Sequence, residues 1–281
     1  MISMDQEKAN QYLMTAVQAA LSAGSAISAI YRSGFTITEK EDLTPLTEAD
    51  LAAHRIILEA LSPGGELIIS EEGRSAGQEE MNPGSFWLVD PLDGTKEFIR
   101  RNGEFTVNIA FIESQRPVLG VIYAPVMDML YFGLEGSGAF AVRKASRQCP
   151  PVISYDTLLA KSVTLKCGPQ KTVLTVAASR SHFSPETGSL IKKLESGFRV
   201  KLLSKGSSLK LTAVAEGSAD VYPRLAPTME WDTAAGDAIL RAAGGSCRIY
   251  PEGTLMTYQK PGFRNPSFVA CADPLLPLIF P

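Results

Sequence analysis

Apolar positions along the chain follow two different periods, and the changes of period mark out the elements. From about residue 5 to residue 33, Ala9, Tyr12, Leu13, Ala16, Val17, Ala20, Leu21 and Ile27 recur at helical spacing and predict one long amphipathic packing helix. A second helix is expected to start at Thr47-Glu48-Ala49-Asp50, continue through Ile56, Ile57 and Leu61, and stop at Pro63-Gly64-Gly65. A polar loop, Lys40 to Pro45, precedes it. Leu67-Ile68-Ile69 and Phe86-Trp87-Leu88-Val89 are short unbroken apolar runs that read as buried strands, each ending on acids, Glu71-Glu72 and Asp90.

Residues 107–112, 118–123 and 129–134 are strand-like and are separated by Pro117, Pro125 and Gly136, which predicts an antiparallel meander. The stretch 143–171 lacks a clear period and is taken as a connection. Beyond it the pattern gives a strand over 173–178, a helix over 185–196, a strand over 199–203, a helix over 208–216, a strand over 219–222 and a helix over 234–243 ended by Gly244-Gly245. The expectation is therefore an α/β chain in two packed halves, 1–142 and 173–281, joined by 143–172. The first half carries most of the acids singled out below, and the second carries Asp232.

Composition narrows the function classes. With 45% hydrophobic and 20% charged residues, the 281-residue chain has the makeup of a globular protein and not of a disordered one. A net charge of −3 without a basic stripe argues against nucleic-acid binding. Cys149, Cys167, Cys247 and Cys271 form no C-x-x-C pair and accompany only two histidines, His54 and His182, which speaks against zinc. Buried reduced thiols, a cytoplasmic location, no membrane-spanning run and a monomer are expected.

The chemistry concentrates in Asp90-Pro91-Leu92-Asp93-Gly94-Thr95, two carboxylates where a strand is expected to end and turn. Pro, Asp and Gly also make a plain turn, so the run by itself leaves both readings open. Hard divalent cations take oxygen ligands, and Glu71, Asp90, Asp93, Asp232 and the Leu92 carbonyl can supply them. Asp232 could equally cap the helix that follows it. Asp50 pairs with Thr47 as a capping box, yet with the Thr95 hydroxyl it is also a candidate for aiming a water. The amides of Gly94 and Thr95 are candidates for holding phosphate oxygens. His54, inside a helix, reads as a surface or packing residue and not as a base.

Taken together, Leu46-Thr47-Glu48-Ala49-Asp50, Glu71-Glu72, Asp90 to Thr95 and Trp231-Asp232-Thr233-Ala234-Ala235-Gly236 resemble the lithium-sensitive, magnesium-dependent phosphatase superfamily of inositol monophosphatase. The continuation Lys96-Glu97-Phe98 to Asn102-Gly103-Glu104-Phe105, with Ser179 to His182, Gly206 to Lys210 and Ala219 to Arg224, resembles its 3'(2'),5'-bisphosphate nucleotidase branch of the bacterial CysQ type. The resemblance implies alternating α-β-α-β-α layers, with a largely antiparallel N-terminal sheet and a smaller mixed C-terminal sheet. It further implies two or three Mg²⁺ ions, and His182, Ser207, Lys210 and Arg224 as contacts to a bisphosphorylated nucleotide. Peripheral association with the inner membrane is compatible with it. The activity it implies is removal of the 3'-phosphate of adenosine 3',5'-bisphosphate. An inositol or sugar phosphate is the alternative substrate, and a non-catalytic phosphometabolite sensor is the alternative of another class.

Overall fold

The computed structural model describes residues 4–39, 45–73, 84–150, 153–168, 173–178 and 184–280. Its largest element is a seven-stranded sheet, in spatial order Leu67–Ser70, Ser85–Asp93, Thr106–Glu113, Arg116–Ala124, Met129–Leu134, Gly138–Arg143 and Val163–Leu165. Leu67–Ser70 and Ser85–Asp93 run parallel, and the remaining pairs are antiparallel, so the expected meander is present with two further strands, Gly138–Arg143 and Val163–Leu165. A second, five-stranded mixed sheet runs Arg199–Ser204, Val173–Ala178, Val221–Arg224, Phe268–Ala272, Gly245–Ile249. Its last two strands follow Gly245, beyond the last element assigned from sequence.

Both faces of the large sheet are buried, which is why its strands read as near-continuous apolar runs. Val107, Ile109 and Phe111 point to an outer layer formed by the helices Gln6–Ser33 and Glu48–Leu61. Ala110 and Ile112 point the other way, to the helices Leu209–Ala215 and Ala234–Ala242, which lie between the two sheets. Helix Pro185–Glu195 packs on the far side of the second sheet through Leu190, Ile191 and Leu194. The layers therefore alternate α-β-α-β-α.

Three sequence expectations change. The helix Gln6–Ser33 contains a stretch that by length and composition alone is apolar enough to cross a membrane, whereas no such run was expected. Its apolar face is committed to the sheet, where Leu13, Ala16, Val17, Ala20, Ala23 and Ile27 are fully buried. The unpatterned stretch after Arg143 holds two short helices, Ala145–Gln148 and Tyr155–Ala160, and an edge strand of the large sheet, Val163–Leu165. Elements this short show no readable period. The loop before Thr47 lies mostly outside the described residues, but Pro45–Thr47 pairs with Ile37–Glu39 as a small hairpin.

The middle layer sits unusually close to the sheet because Gly120 lets it. A Cβ at Gly120 would lie 2.2 Å from the Ala235 carbonyl oxygen and 2.9 Å from the Ala238 Cβ. Helix backbone cannot yield as a flexible side chain would, so Gly120→Ala should overpack this contact and destabilise the fold by about 1–3 kcal/mol. Urea denaturation measures this, and an unchanged midpoint would show that the helix can retreat from the sheet without cost.

Candidate active site

The acids at the end of strand Ser85–Asp93 share a face because the strand carries one extra residue. Asp90 pairs with Asn108 and Asp93 with Thr106, so three steps along one strand match two along its neighbour. This is a β-bulge. Side chains alternate in a strand, so an unbroken ladder would send Asp93 to the side of Trp87 and Val89, into the outer helices. The bulge returns it to the Asp90 side, facing the middle layer. Pro91 lies within the bulge, and the Leu92 amide donates to Asp90 Oδ1 at 3.0 Å. The expected turn at Asp90 is thus corrected: strand geometry persists to Asp93. The chain turns at Gly94, whose φ of 93° is left-handed and whose Cβ, if present, would lie 2.1 Å from Ser207 Oγ.

Asp50 makes the capping-box contact and also meets Thr95. Its Oδ2 accepts from the Thr47 amide at 2.8 Å and the Thr47 hydroxyl at 2.6 Å, while its Oδ1 accepts from the Thr95 hydroxyl at 3.2 Å. One oxygen caps the helix Glu48–Leu61, and the other meets the five-residue helix Thr95–Ile99. The Leu92 side chain enters the outer core, and its carbonyl lies 3.5 Å from the Thr95 hydroxyl, at the limit of a hydrogen bond.

Asp232 does not cap the helix that begins at Ala234. It lies in a 3₁₀ turn, Glu230–Asp232, with its Oδ2 accepting from the Met229 amide at 2.8 Å. Glu71, Asp90 and Asp232 each offer a carboxylate oxygen within 4.8 Å of the others. Asp90 is buried, and its carboxyl is raised well above the usual range by that burial and by Glu71, Asp93 and Asp232. Burial likewise lifts Asp93 to about 6, opposed by the Lys210 ammonium and the Ser208 amide. Asp232 is lifted to about 8 by burial and by Asp93. Carboxylates crowded this way repel unless protonated or joined by a cation, and an all-oxygen donor set suits a hard divalent ion. The donor set therefore fits such an ion.

Asp93 and Asp232 also belong to the wall of a cavity of about 380 Å³ whose lining includes Ser207, Lys210, Tyr222 and Arg224. Lys210 is buried, and its Nζ donates to the Ser207 carbonyl at 2.7 Å. Burial pushes its pKa down to about 8, against the pull of Asp93. The Ser207 hydroxyl is within reach of the Asp93 carbonyl at 2.9 Å and the Glu104 carbonyl at 2.8 Å, so it ties loops together. Arg224 donates through an Nη to the Pro227 carbonyl, while its buried Nε finds no hydrogen-bond partner among the described residues. His182 lies outside the described residues. His54 packs as expected, its Nδ1 2.9 Å from the Ser70 hydroxyl.

Sequence reasoning missed the residues that hold Asp93. Its Oδ2 accepts from the Ser208 amide at 2.6 Å and from Asn108 Nδ2 at 3.4 Å, and the Ser208 hydroxyl bridges Asn108 Oδ1 and Thr106 Oγ1. The available signal was Thr106 and Asn108, polar residues interrupting an otherwise apolar buried strand.

Comparison with known proteins follows the same lines. The model of the inositol monophosphatase family matches residues 8–272. The 3'(2'),5'-bisphosphate nucleotidase CysQ of Salmonella typhimurium is 41% identical over 263 residues, covering 89% of this chain and 96% of that protein. The protein of that name from Buchnera aphidicola is 40% identical over 261 residues, covering 91% of each. The crystal structure of CysQ from Bacteroides thetaiotaomicron matches with a TM-score of 0.86 at 43% identity, covering 94% of this chain and 97% of that one. With the family model matching nearly the whole chain and these relatives covering most of it, the chain belongs to the inositol monophosphatase family of metal-dependent phosphatases.

Proposed function

We propose that this chain is a magnesium-dependent 3'(2'),5'-bisphosphate nucleotidase that converts adenosine 3',5'-bisphosphate to AMP and phosphate. One observation carries the reading: a single cavity wall holds the carboxylates Asp93 and Asp232, the latter from the acidic group, together with Lys210 and Arg224. A substrate with two phosphates requires both kinds of partner, one phosphate beside bound cations and the other beside protein cations. The relatives named 3'(2'),5'-bisphosphate nucleotidase support the same choice.

Glu71, Asp90, Asp93, Asp232 and the Leu92 carbonyl would hold two or three Mg²⁺ ions. When bound, such ions neutralise charge on the phosphoryl oxygens and make a water more acidic. The chain's own part is orientation. Asp50 cannot swing freely, because Thr47 holds its Oδ2, so Oδ1 and the Thr95 hydroxyl keep a fixed relation in which a water can be aimed and can give up its proton. The Gly94 and Thr95 amides, at the start of helix Thr95–Ile99, steady phosphoryl oxygens. Lys210 and Arg224 take the second phosphate, the orphaned Arg224 Nε being a donor in need of an acceptor. His182 and Ser207 belong to the same reading as substrate contacts. A cytoplasmic location accords with four free, buried cysteines.

The deciding experiment measures phosphate release from adenosine 3',5'-bisphosphate and from inositol 1-phosphate, with and without Mg²⁺. The nucleotide should be preferred and the reaction should require Mg²⁺. Faster turnover of inositol 1-phosphate would reassign the substrate, and tight nucleotide binding without phosphate release would favour the sensor. Thr95→Val, which keeps the shape and removes the hydroxyl, should lower kcat about 10²–10⁴-fold while leaving Mg²⁺ affinity nearly unchanged. Undiminished kcat removes the Asp50–Thr95 pair from the mechanism.

The raised carboxyls set a pH dependence. Asp93 and Asp232 hold protons up to about 6 and about 8 in the cation-free fold, against an ordinary value of 3.8. Folded protein then binds more protons than unfolded chain, so this contribution is fully present below the ordinary carboxylate range and is lost as pH rises through about 6 and about 8. Mg²⁺ opposes that loss, contributing about 2.7 kcal/mol at a concentration 100-fold over its Kd. Thermal melts should therefore show a Mg²⁺-induced rise in Tm that is larger at about pH 8.5 than at about pH 5. An increment equal at both would mean that these acids do not form the cation site.

A further inference from the structure

Two residues before Asp232, a second acid is fully buried and takes no part in the acidic group. Glu230 has no exposed surface, yet its carboxylate is fully engaged. Oε2 accepts from the Gln259 amide at 2.6 Å; Oε1 accepts from the Lys260 amide at 2.8 Å and pairs with Lys260 Nζ at 2.7 Å. Lys260 Nζ also donates to the Thr257 carbonyl. The carboxylate thus fastens the 3₁₀ turn Glu230–Asp232 to a loop some thirty residues downstream in the chain.

The same turn is fastened from its other side. The Thr233 amide and hydroxyl both donate to the Glu230 carbonyl at 3.1 Å, and Asn265 Nδ2 donates to the Met229 carbonyl at 2.7 Å and to Thr233 Oγ1 at 3.0 Å. Asp232 is carried between these two anchors, and its Oδ2 is bonded to the Met229 amide inside the same turn. Among Glu71, Asp90 and Asp232, it alone comes from beyond the large sheet. Its approach to the other two depends on where the turn is held.

We infer that Glu230, clamped by Gln259 and Lys260, is the positioning residue that presents the Asp232 carboxylate to Glu71 and Asp90, and so sets the cation affinity of the site without touching cation or substrate. This rests on the metal-dependent reading above. A carboxylate is required, because two amide N–H groups and an ammonium all point at it and a carboxamide would turn an NH₂ group toward one of them. Residues that orient metal ligands typically change affinity about 10–100-fold when altered.

The test is calorimetric titration of the purified protein with Mg²⁺ alone. Glu230→Gln should weaken Mg²⁺ binding about 10-fold or more, while kcat at saturating Mg²⁺ stays within about twofold of the unaltered protein. In an Asp232→Asn background, Glu230→Gln should add no further loss of affinity, because the group it positions is already gone. If Glu230→Gln fails to fold, Lys260→Met keeps both amides and the apolar stem, removes only the ammonium, and should still lower Mg²⁺ affinity about threefold or more. Mg²⁺ affinity within twofold of the unaltered protein in the folded variant overturns the assignment. An equal loss in the Asp232→Asn background does so as well. Should the unaltered protein bind no Mg²⁺, the metal-dependent reading itself fails and this inference falls with it.

Discussion

Everything at the site depends on one extra residue in one strand. The ladder between Ser85–Asp93 and Thr106–Glu113 slips by one between Asp90 and Asp93, and because side chains alternate strictly, that slip decides which face Asp93 occupies. Both acids then face the middle layer, where Asn108 and Ser208 meet Asp93 and the turn bearing Asp232 comes close to Asp90. Leu92, between them, is left to the outer core. A bulge also leaves a carbonyl outside the ladder, the kind of oxygen a cation site can use.

The arrangement is expensive for the fold taken alone. Burying several carboxylates within reach of one another raises their proton affinity because ionised forms repel in a poorly solvated place. In the metal-dependent reading proposed above these groups act ionised, which would link folding to cation binding. The surroundings limit the cost with donors already in place, the Leu92 amide for Asp90, the Ser208 amide for Asp93 and the Met229 amide for Asp232. Backbone amides suit this task, since they are fixed by secondary structure and lose little freedom on bonding.

The site also lies beside the helices that join the two sheets. Helix Ala234–Ala242 rests on the large sheet at Gly120 and Gly133 and reaches the second sheet through Cys247, so Asp232, just before it, inherits its position from both. Lys210 and Ser208 arrive at the same junction from helix Leu209–Ala215 and its entry. The cavity is the gap left between these arrivals, which explains why its lining comes from three separated ranges of the chain, 93–104, 205–211 and 222–233.

Much of this was legible beforehand where a residue's local pattern and its final role coincide. The periods of the long helices, the unbroken runs of the buried strands and the Thr47–Asp50 capping box are local, and they hold in the structure. The elements of 143–168 and the strands Gly245–Ile249 and Phe268–Ala272 were not read, since short or doubly covered segments carry little periodic signal. The acids could be named from their types and spacing, but not their partners: nothing near Asp93 in the chain announces Ser208, and nothing near Glu230 announces Lys260. By itself the sequence determined which side chains were available and which helices and strands would carry them. Tertiary structure alone decided the bulge register, the double engagement of Asp50 and the meeting of Asp232 with Asp90, because each is a contact between segments whose separation along the chain leaves no local trace.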